Sequence, residues 1–325
     1  MYKNMRNSSM GRFLFRKNFE FNPSFQKNWY NFGGIRTMVL RYVYTILLML
    51  TPLVAFNQVK LKKLASLPDD IYETSGLVCY QNKYLITHND GGHKSEIFVL
   101  DLKGNLVKTI NIKDTKNKDW EDLAQDDEGR LFIGDFGNND NKREKCKIYI
   151  LPPGYINDDD IEPEKITFSY EDQEDFPPKK SKRNYDCEAF FWINGKLYLL
   201  TKCRTKPYTG ECRIYELPDQ PGKYEAKYRG SVFLCTAGWR LCSVTGADYD
   251  PASKTIAIIT YSRLYLLSDF GNDDFWNGSV QMHSLPFIKQ REAICFAGKG
   301  RLFLTDEEKK GIGGGNLYEV KLNNK

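Results

Sequence analysis

Short apolar runs separated by turn residues fill the chain from residue 58 onward, and they follow one another in pairs. In the clearest pair, the apolar runs 189–193 and 196–200 flank the dipeptide Asn194-Gly195. Asn-Gly between two such runs is the strongest short-range signal for a β-hairpin. Similar pairs recur along the rest of the chain, and the pattern therefore predicts an all-β domain.

A short phrase that carries an acidic residue precedes five of these hairpins. The five copies occupy residues 73–77, 121–124, 186–190, 245–249 and 291–294. Repetition at a period of tens of residues, with several strands in each unit, is typical of a β-propeller. The repeated phrase therefore predicts a closed ring of blades in which each copy brings an acid to an equivalent position.

The strands predicted around the five phrases give five blades of four strands, except that the last blade lacks one strand. A spare strand at residues 58–63 precedes the first phrase, and we expect it to pair with residues 317–322 and close the ring. The spacings between the acids are uneven. A sixth, degenerate blade within residues 152–178 therefore remains an alternative.

The residues before this domain have a different character. An apolar run at residues 42–50 follows Arg41 and is too short for a membrane-spanning helix. We therefore interpret residues 38–57 as a signal peptide, residues 1–37 as a non-native or disordered leader, and residues 58–325 as the propeller domain. The expected product is a monomer without a stable membrane span, secreted or periplasmic.

The charge of the whole chain, +5, comes from this N-terminal segment. Residues 1–56 hold eight of the 47 basic residues and one of the 42 acidic residues, so the remainder is slightly acidic. That balance does not favour a nucleic-acid partner. Eight cysteines permit disulfides in an exported protein, and Cys203 and Cys212, which flank one loop, are a candidate pair.

In a propeller, the start of the first strand of a blade and the end of its second strand lie on the same face. The first-strand starts supply seven carboxylates, and crowded carboxylates must be protonated, paired with basic groups or neutralised by a cation. Oxygen ligands of this kind suit Ca²⁺. The predicted metal ligands are Glu73, Glu121, Asp122, Asp186, Glu188, Asp248 and Glu292. The alternative is that these acids accept backbone N–H groups and hold the blades in register.

The second-strand ends add amides, acids and basic groups to the same face. His88 lies in this set and is the candidate general base. The chain has no P-loop, G-x-S-x-G or H-E-x-x-H motif. The predicted ligand-binding residues are Asp90, Asp135, Asn138, Asn139, Lys202, Arg204, Arg291 and Asp306.

Several phrases together resemble a group of uncharacterised secreted bacterial β-propeller proteins. They lie at residues 87–92, 119–124, 134–139, 188–190 with 201–202, and 244–248. More distantly, the acids that open the inner strands are similar to the gluconolactonase-like, strictosidine-synthase-like and propeller-phytase groups. That resemblance implies calcium at the central channel, although the acidic signature of the phytases and a complete ligand set of the lactonases are absent.

Two functions follow as expectations. In the first, the acidic channel face binds a small molecule, a glycan or a peptide together with a divalent cation. In the second, the protein is a metal-assisted hydrolase of an ester, a lactone or a phosphoester, with His88 or a carboxylate as the base. Lys202, Arg204 and Arg291 are available to attract an anion in either case.

Overall fold

The computed structural model describes residues 59–271, 274–298, 300–309 and 313–321. Within these ranges the chain forms strands β1 to β21 and four short helical turns, so the predicted all-β class is confirmed. Of the helices in the described ranges, none has the length and apolar character that crossing a bilayer requires. The predicted leader (1–37) and signal peptide (38–57) lie outside the described residues.

The strands form antiparallel meanders, each of which begins close to one of the repeated phrases. The first meander contains β2 (Thr74–Tyr80), β3 (Tyr84–Asn89), β4 (Glu96–Asp101) and β5 (Leu106–Ile112). The second contains β6 (Trp120–Gln125), β7 (Leu131–Asp135), β8 (Cys146–Leu151) and β10 (Glu164–Tyr170). The third contains β11 (Asp186–Ile193), β12 (Lys196–Lys202), β13 (Glu211–Pro218) and β14 (Gly222–Phe233).

The last two meanders follow the same order. The fourth contains β15 (Gly246–Asp250), β16 (Thr255–Ile259), β17 (Arg263–Ser268) and β18 (Ser279–Ser284). The fifth contains β19 (Arg291–Phe296), β20 (Arg301–Asp306) and β21 (Asn316–Lys321). Its fourth strand is β1 (Leu61–Ser66), which pairs antiparallel with β21 so that Leu61 lies opposite Val320. The pairing strand lies three residues later in the chain than the segment expected from the sequence.

The first strands of the five meanders contact one another in a cyclic order. Strand β2 contacts β6, and the contacts continue through β11, β15 and β19 back to β2. Five clusters of buried apolar side chains fill the spaces between neighbouring meanders. Fully burying one large apolar side chain contributes about 1.5–3 kcal/mol, so these interfaces are the main source of stability. Trp120, which has no exposed surface, packs in the cluster between the first two meanders.

Two connections depart from a simple series of four-stranded sheets. Strand β10 pairs in parallel with β14, with Ile166 opposite Gly222, and this pairing joins the second and third meanders into one eight-stranded sheet. The short strand β9 (Asp160–Ile161) pairs in parallel with β5. Residues 152–178, the segment considered for a sixth blade, therefore supply β9 and β10 to sheets that already exist.

One disulfide is present among the described residues, between Cys235 and Cys242. The Cys203–Cys212 pair considered from the sequence is wrong, because both residues are free thiols. The side chain of Cys212 packs in the apolar cluster between the third and fourth meanders. The sulfur of Cys203 instead lies 3.1 Å from the hydroxyl of Thr205.

Candidate functional site

Three glutamates occupy β-bulges at equivalent points of the first strands β6, β11 and β19. The pairing register of these strands skips Glu121, Glu188 and Glu292, so that two residues oppose one on the neighbouring strand. A bulge bends its strand and redirects a side chain. All three glutamates line one cavity of about 640 Å³. In β2 the equivalent residue is Gly76, at φ 67°.

The second strands return to the same end of the sheets, as the pairing registers show. Thr74 pairs with Asn89, Trp120 with Asp135, Asp186 with Lys202, and Arg291 with Asp306. Side chains from this end line the cavity beside the three glutamates. They include Asp90, Lys202, Tyr261, Asp306 and Glu307.

Three carboxylates converge beside this cavity, and two of them, Asp90 and Glu121, line it. Oxygen atoms of Asp90, Asp119 and Glu121 all lie within 4.8 Å of one another. Two glycines leave space for these carboxylates. A Cβ atom on Gly137 would lie 2.5 Å from Asp119 Oδ2 and closer still to Glu121 Oε1. A Cβ atom on Gly91 would lie 2.6 Å from Asp119 Oδ1. We call Asp90, Asp119 and Glu121 the carboxylate triad.

The environment of the triad disfavours three negative charges. Burial, followed by the charge of Asp90, raises the pKa of Asp119 to about 6. Burial raises the pKa of Glu121 well above its usual range, and the charges of Glu188, Asp90 and Asp119 add to the effect. Burial also raises the pKa of Asp90, partly offset by the hydrogen bond from the Gly91 N–H. The triad is therefore a place where protons or a cation are strongly favoured.

The neighbouring acids Asp186 and Glu188 are balanced by basic side chains instead. Lys202 Nζ donates to Glu188 Oε2 at 2.7 Å, and Arg204 donates to Asp186 Oδ2 at 2.5 Å and to Glu188 Oε1 at 3.2 Å. Burial opposes the charged form of Lys202, but the charges of Glu188 and Glu292 raise its pKa above the usual value. Two of the predicted metal ligands therefore belong to an ion-pair network.

Glu292 has a different environment from the other bulged glutamates. The hydroxyl of Tyr261 donates to Glu292 Oε1 at 2.8 Å. Burial raises the pKa of Glu292 to about 7, although the positive charge of Lys202 opposes the rise. Burial, followed by the charge of Glu292, raises the pKa of Glu307 to about 9. At neutral pH Glu307 is therefore mostly protonated, and Glu292 is divided between its protonated and charged forms.

Asp122 and Asp248 connect strands of the inner ring. Asp122 Oδ2 accepts from the backbone N–H groups of Phe190 at 3.1 Å and Ala247 at 3.4 Å, which joins β6 to β11 and β15. Asp248 Oδ2 accepts from the N–H of Phe296 at 2.8 Å, which joins β15 to β19. These contacts are the ones that the alternative considered from the sequence describes, and the metal role of Asp122 and Asp248 stays a prediction.

His88 and Glu73 are not members of the triad, although the carbonyl oxygen of Glu73 accepts from the N–H of Asp90 at 2.8 Å. His88 is fully buried, its Nδ1 lies 2.9 Å from the carbonyl oxygen of Asn89, and burial lowers its pKa to about 4. His88 is therefore buried outside the residues that line the cavity, and its role as the general base stays a prediction. Glu73, whose side chain is 42% exposed, pairs with His93.

The remaining predicted ligand-binding residues divide into two groups. Asp90, Asn139, Lys202, Arg204 and Asp306 line the cavity. The other three support its wall: Asp135 pairs with Arg143 at 3.1 Å, the N–H of Asn138 donates to Asp186 at 2.6 Å, and Arg291 donates to the carbonyl of Phe287 at 2.8 Å.

The sequence places Tyr261 and Glu307 among the second-strand ends of the predicted face but does not single them out as site residues, and it gives Asp119 no role in the site. Asp119 directly precedes β6, and Glu307 directly follows β20, so both occupy the chain positions from which the other site residues were chosen. Tyr261 lies two residues after the end of β16. Nothing in its residue type distinguished this tyrosine from the many core tyrosines.

Comparison with known proteins gives similarity to solved structures alone. No protein-family model and no curated protein sequence matches the chain. Among solved structures, the chain is similar to a putative gluconolactonase at 14% identity and a TM-score of 0.45, covering 82% of this chain and 92% of that protein. A gluconolactonase from Xanthomonas campestris has 12% identity and a TM-score of 0.44, covering 81% and 90%.

The PQQ-bound aldose sugar dehydrogenase from Streptomyces coelicolor is also similar, at 10% identity and a TM-score of 0.47. Here the match covers 81% of this chain and 98% of that protein. Gluconolactonase-like proteins, the distant similarity expected from the repeated acids, are thus among the solved structures similar to this chain. At these identities and TM-scores the similarities identify no activity.

Proposed function

We propose that the described strands form a five-bladed β-propeller whose ring is closed by β1, and that the protein is exported. The cyclic contacts among the five first strands and the pairing of β1 with β21 support the closure. The signal-peptide pattern at residues 38–57 supports the export.

We propose that the cavity binds a small organic ligand together with one divalent cation, calcium, at the carboxylate triad. The convergence of Asp90, Asp119 and Glu121 within 4.8 Å is the observation that carries the proposal. All three ligands are oxygen atoms, which are the donors that calcium prefers, and calcium tolerates irregular arrangements of them. The space beside Gly91 and Gly137 admits the carboxylates where any side chain would collide with them.

The charges around the triad support a cation at this place more than at the other acids. Asp186 and Glu188 already contact Arg204 and Lys202. Between the members of the triad, by contrast, repulsion at about 4 Å costs on the order of 4 kcal/mol for each charged pair at an effective dielectric constant of about 20. A divalent cation removes that repulsion without requiring protonation.

The second candidate function is a metal-assisted hydrolase of an ester, a lactone or a phosphoester. The observation that favours it is Glu292, which lines the cavity with a pKa of about 7 and is therefore suited to accept a proton from a water molecule at neutral pH. A cation at the triad would polarise a substrate oxygen. Turnover that Glu292→Gln abolishes would favour hydrolysis over binding alone.

Calorimetric titration with CaCl₂ at pH 7.5 tests the cation site. We expect one site in the wild-type protein and affinity at least about tenfold weaker in Asp119→Asn, because the site loses one of its charged ligands. Gly137→Ala should weaken binding as well, because its Cβ would displace Glu121 and Asp119. Glu128→Gln, at an exposed acid of the β6–β7 turn, is the matched control and should bind as the wild type does. Equal affinity in all four proteins would refute the assignment.

A further inference from the structure

Large apolar side chains stand in solvent beside the charged cavity. Trp239 is 47% exposed and Ile288 is 68% exposed, and both line the same cavity as Asp90 and Glu121 of the triad. Phe287, next to Ile288, is 84% exposed. Apolar groups of this size that surround a polar cavity are typical of ligand-binding sites. We call Trp239, Phe287 and Ile288 the apolar rim.

The loop that carries Phe287 and Ile288 is fixed from below by a buried arginine. Arg291 is 1% exposed, and its Nη1 donates to the carbonyl oxygens of Tyr261 at 2.5 Å and Phe287 at 2.8 Å. Its Nη2 donates to the carbonyl oxygen of Pro286. Phe287 also has φ at 56°, a conformation that is costly for a bulky residue and persists only where the surroundings impose it.

Trp239 is held by a different part of the structure. It begins a short helix, Trp239–Cys242, and the disulfide between Cys235 and Cys242 closes the loop that contains it. The guanidinium carbon of Arg240 lies 5.4 Å from the centre of the Trp239 ring. Two independent elements thus hold apolar side chains outward at one opening, and a preorganised surface binds at a lower entropic cost.

We propose that the ligand is amphipathic, with an oxygen-bearing polar head directed to the carboxylate triad and an apolar chain or ring in contact with Trp239 and Ile288. This inference rests on the proposed small-molecule function and adds the ligand's chemical class. The polarity of the lining supports it: carboxylates and their basic partners line one part of the cavity, and exposed apolar side chains line another. The volume of about 640 Å³ suits a small organic molecule.

The charges of the lining favour a carboxylate as the test head group. Lys202, Arg204, Arg240, Lys289 and Lys309 all line the cavity. Glu292 and Glu307, whose pKa values are raised to about 7 and about 9, carry less than their full negative charge at neutral pH. With a divalent cation at the triad, the cavity therefore accepts an anionic head.

Calorimetric titration with sodium butanoate, hexanoate and octanoate in saturating CaCl₂ tests the inference. Full burial of one CH₂ group strengthens binding about fourfold and half burial about twofold, so octanoate should bind at least about 16-fold more tightly than butanoate. Trp239→Ala combined with Ile288→Ser should reduce that ratio to below about threefold. Val280→Ser, at an apolar side chain that is 56% exposed on β18, is the matched control and should keep the full ratio. Trp239→Ala alone provides the second variant if the double variant is unstable.

The outcomes separate this inference from the cation proposal. If the protein binds calcium but binds butanoate and octanoate with equal affinity, or binds neither of them, the inference about the apolar rim is overturned and the cation site is unaffected. If the protein binds no calcium but its preference for octanoate over butanoate depends on Trp239, the apolar rim is supported and the cation site is overturned. A ratio unchanged in the double variant also overturns the inference.

Discussion

Replacing Asp122 by alanine lowers the free energy of unfolding by about 3 kcal/mol. The side chain is fully buried, and its Oδ2 is the acceptor for the N–H groups of Phe190 and Ala247 on two other strands of the inner ring. A buried donor left without an acceptor costs about 1–3 kcal/mol, and alanine leaves these donors unsatisfied. Asp122 Oδ1 also accepts from the N–H of Leu123 at 2.8 Å, so an amide keeps an oxygen for Phe190 and Ala247 and loses only the bond to Leu123.

Urea unfolding at pH 7 measures this effect. Asp122→Asn retains a carbonyl oxygen of the same shape and should lose less than half as much stability as Asp122→Ala. Asp127→Ala, at an exposed acid of the β6–β7 turn, should change stability by less than about 0.5 kcal/mol. If Asp122→Ala is as stable as Asp127→Ala, the acid does not hold the inner ring together.

We expect calcium to raise the melting temperature strongly at pH 7.5 and weakly at pH 5. In the metal-free protein the pKa of Asp119 is raised to about 6, and burial raises the pKa of Glu121 well above its usual range. A carboxyl whose folded pKa exceeds its unfolded value stabilises the fold at low pH, and this contribution is lost as the pH rises through the folded pKa. Stability of the metal-free protein therefore falls between about pH 4 and pH 7, and calcium offsets the loss.

Scanning calorimetry of metal-free protein, with and without CaCl₂ at each pH, measures the difference. At 100 times the dissociation constant, binding adds about 2.7 kcal/mol, which raises the melting temperature of a domain of this size by about 5–10 °C. Glu292 and Glu307 also titrate, and the charge of Asp90 raises both of their pKa values, so a cation at the triad acts on them in the same direction. In Glu121→Gln the metal-free protein should melt higher at pH 7.5 and should respond little to calcium. An equal calcium response at both pH values would contradict the electrostatic account.

The repeated local signals predicted most of the strands. Asn194 and Gly195 have φ 49° and 80°, the left-handed pair that a two-residue hairpin requires, and they connect β11 to β12 as expected. Contacts between sheets were not predictable in this way. The parallel pairing of β10 with β14 depends on two strand edges that meet only after both meanders have formed. A local pattern contains no information about such an edge.

The sequence also identified the acids that enter the site, but it did not distinguish their roles. Glu121 and Asp122 are neighbours in one phrase, yet the bulge directs Glu121 into the cavity and Asp122 into the ring of backbone donors. A bulge displaces the alternation of side chains by one residue, and residue type alone does not reveal it. The environment of His88 was hidden for a similar reason, because its position at the end of β3 gave no indication that it packs against Trp120.

The repeated acids thus contribute to two separate tasks. Asp122 and Asp248 fix the first strands to one another through backbone N–H groups. Glu121, Glu188 and Glu292 occupy equivalent bulges, but each has its own environment: the carboxylate triad, a lysine with an arginine, and a tyrosine hydroxyl. Equivalent backbone positions therefore present three carboxylates with different charge states to one cavity.

Anomalous diffraction from crystals grown in CaCl₂ at pH 7.5 tests the cation site most directly. The account predicts one peak in the anomalous difference map, within about 2.6 Å of oxygen atoms from Asp90, Asp119 and Glu121, and no peak in crystals of Glu121→Gln. A map with no peak at the triad, or a peak between Asp186 and Glu188 instead, would contradict it.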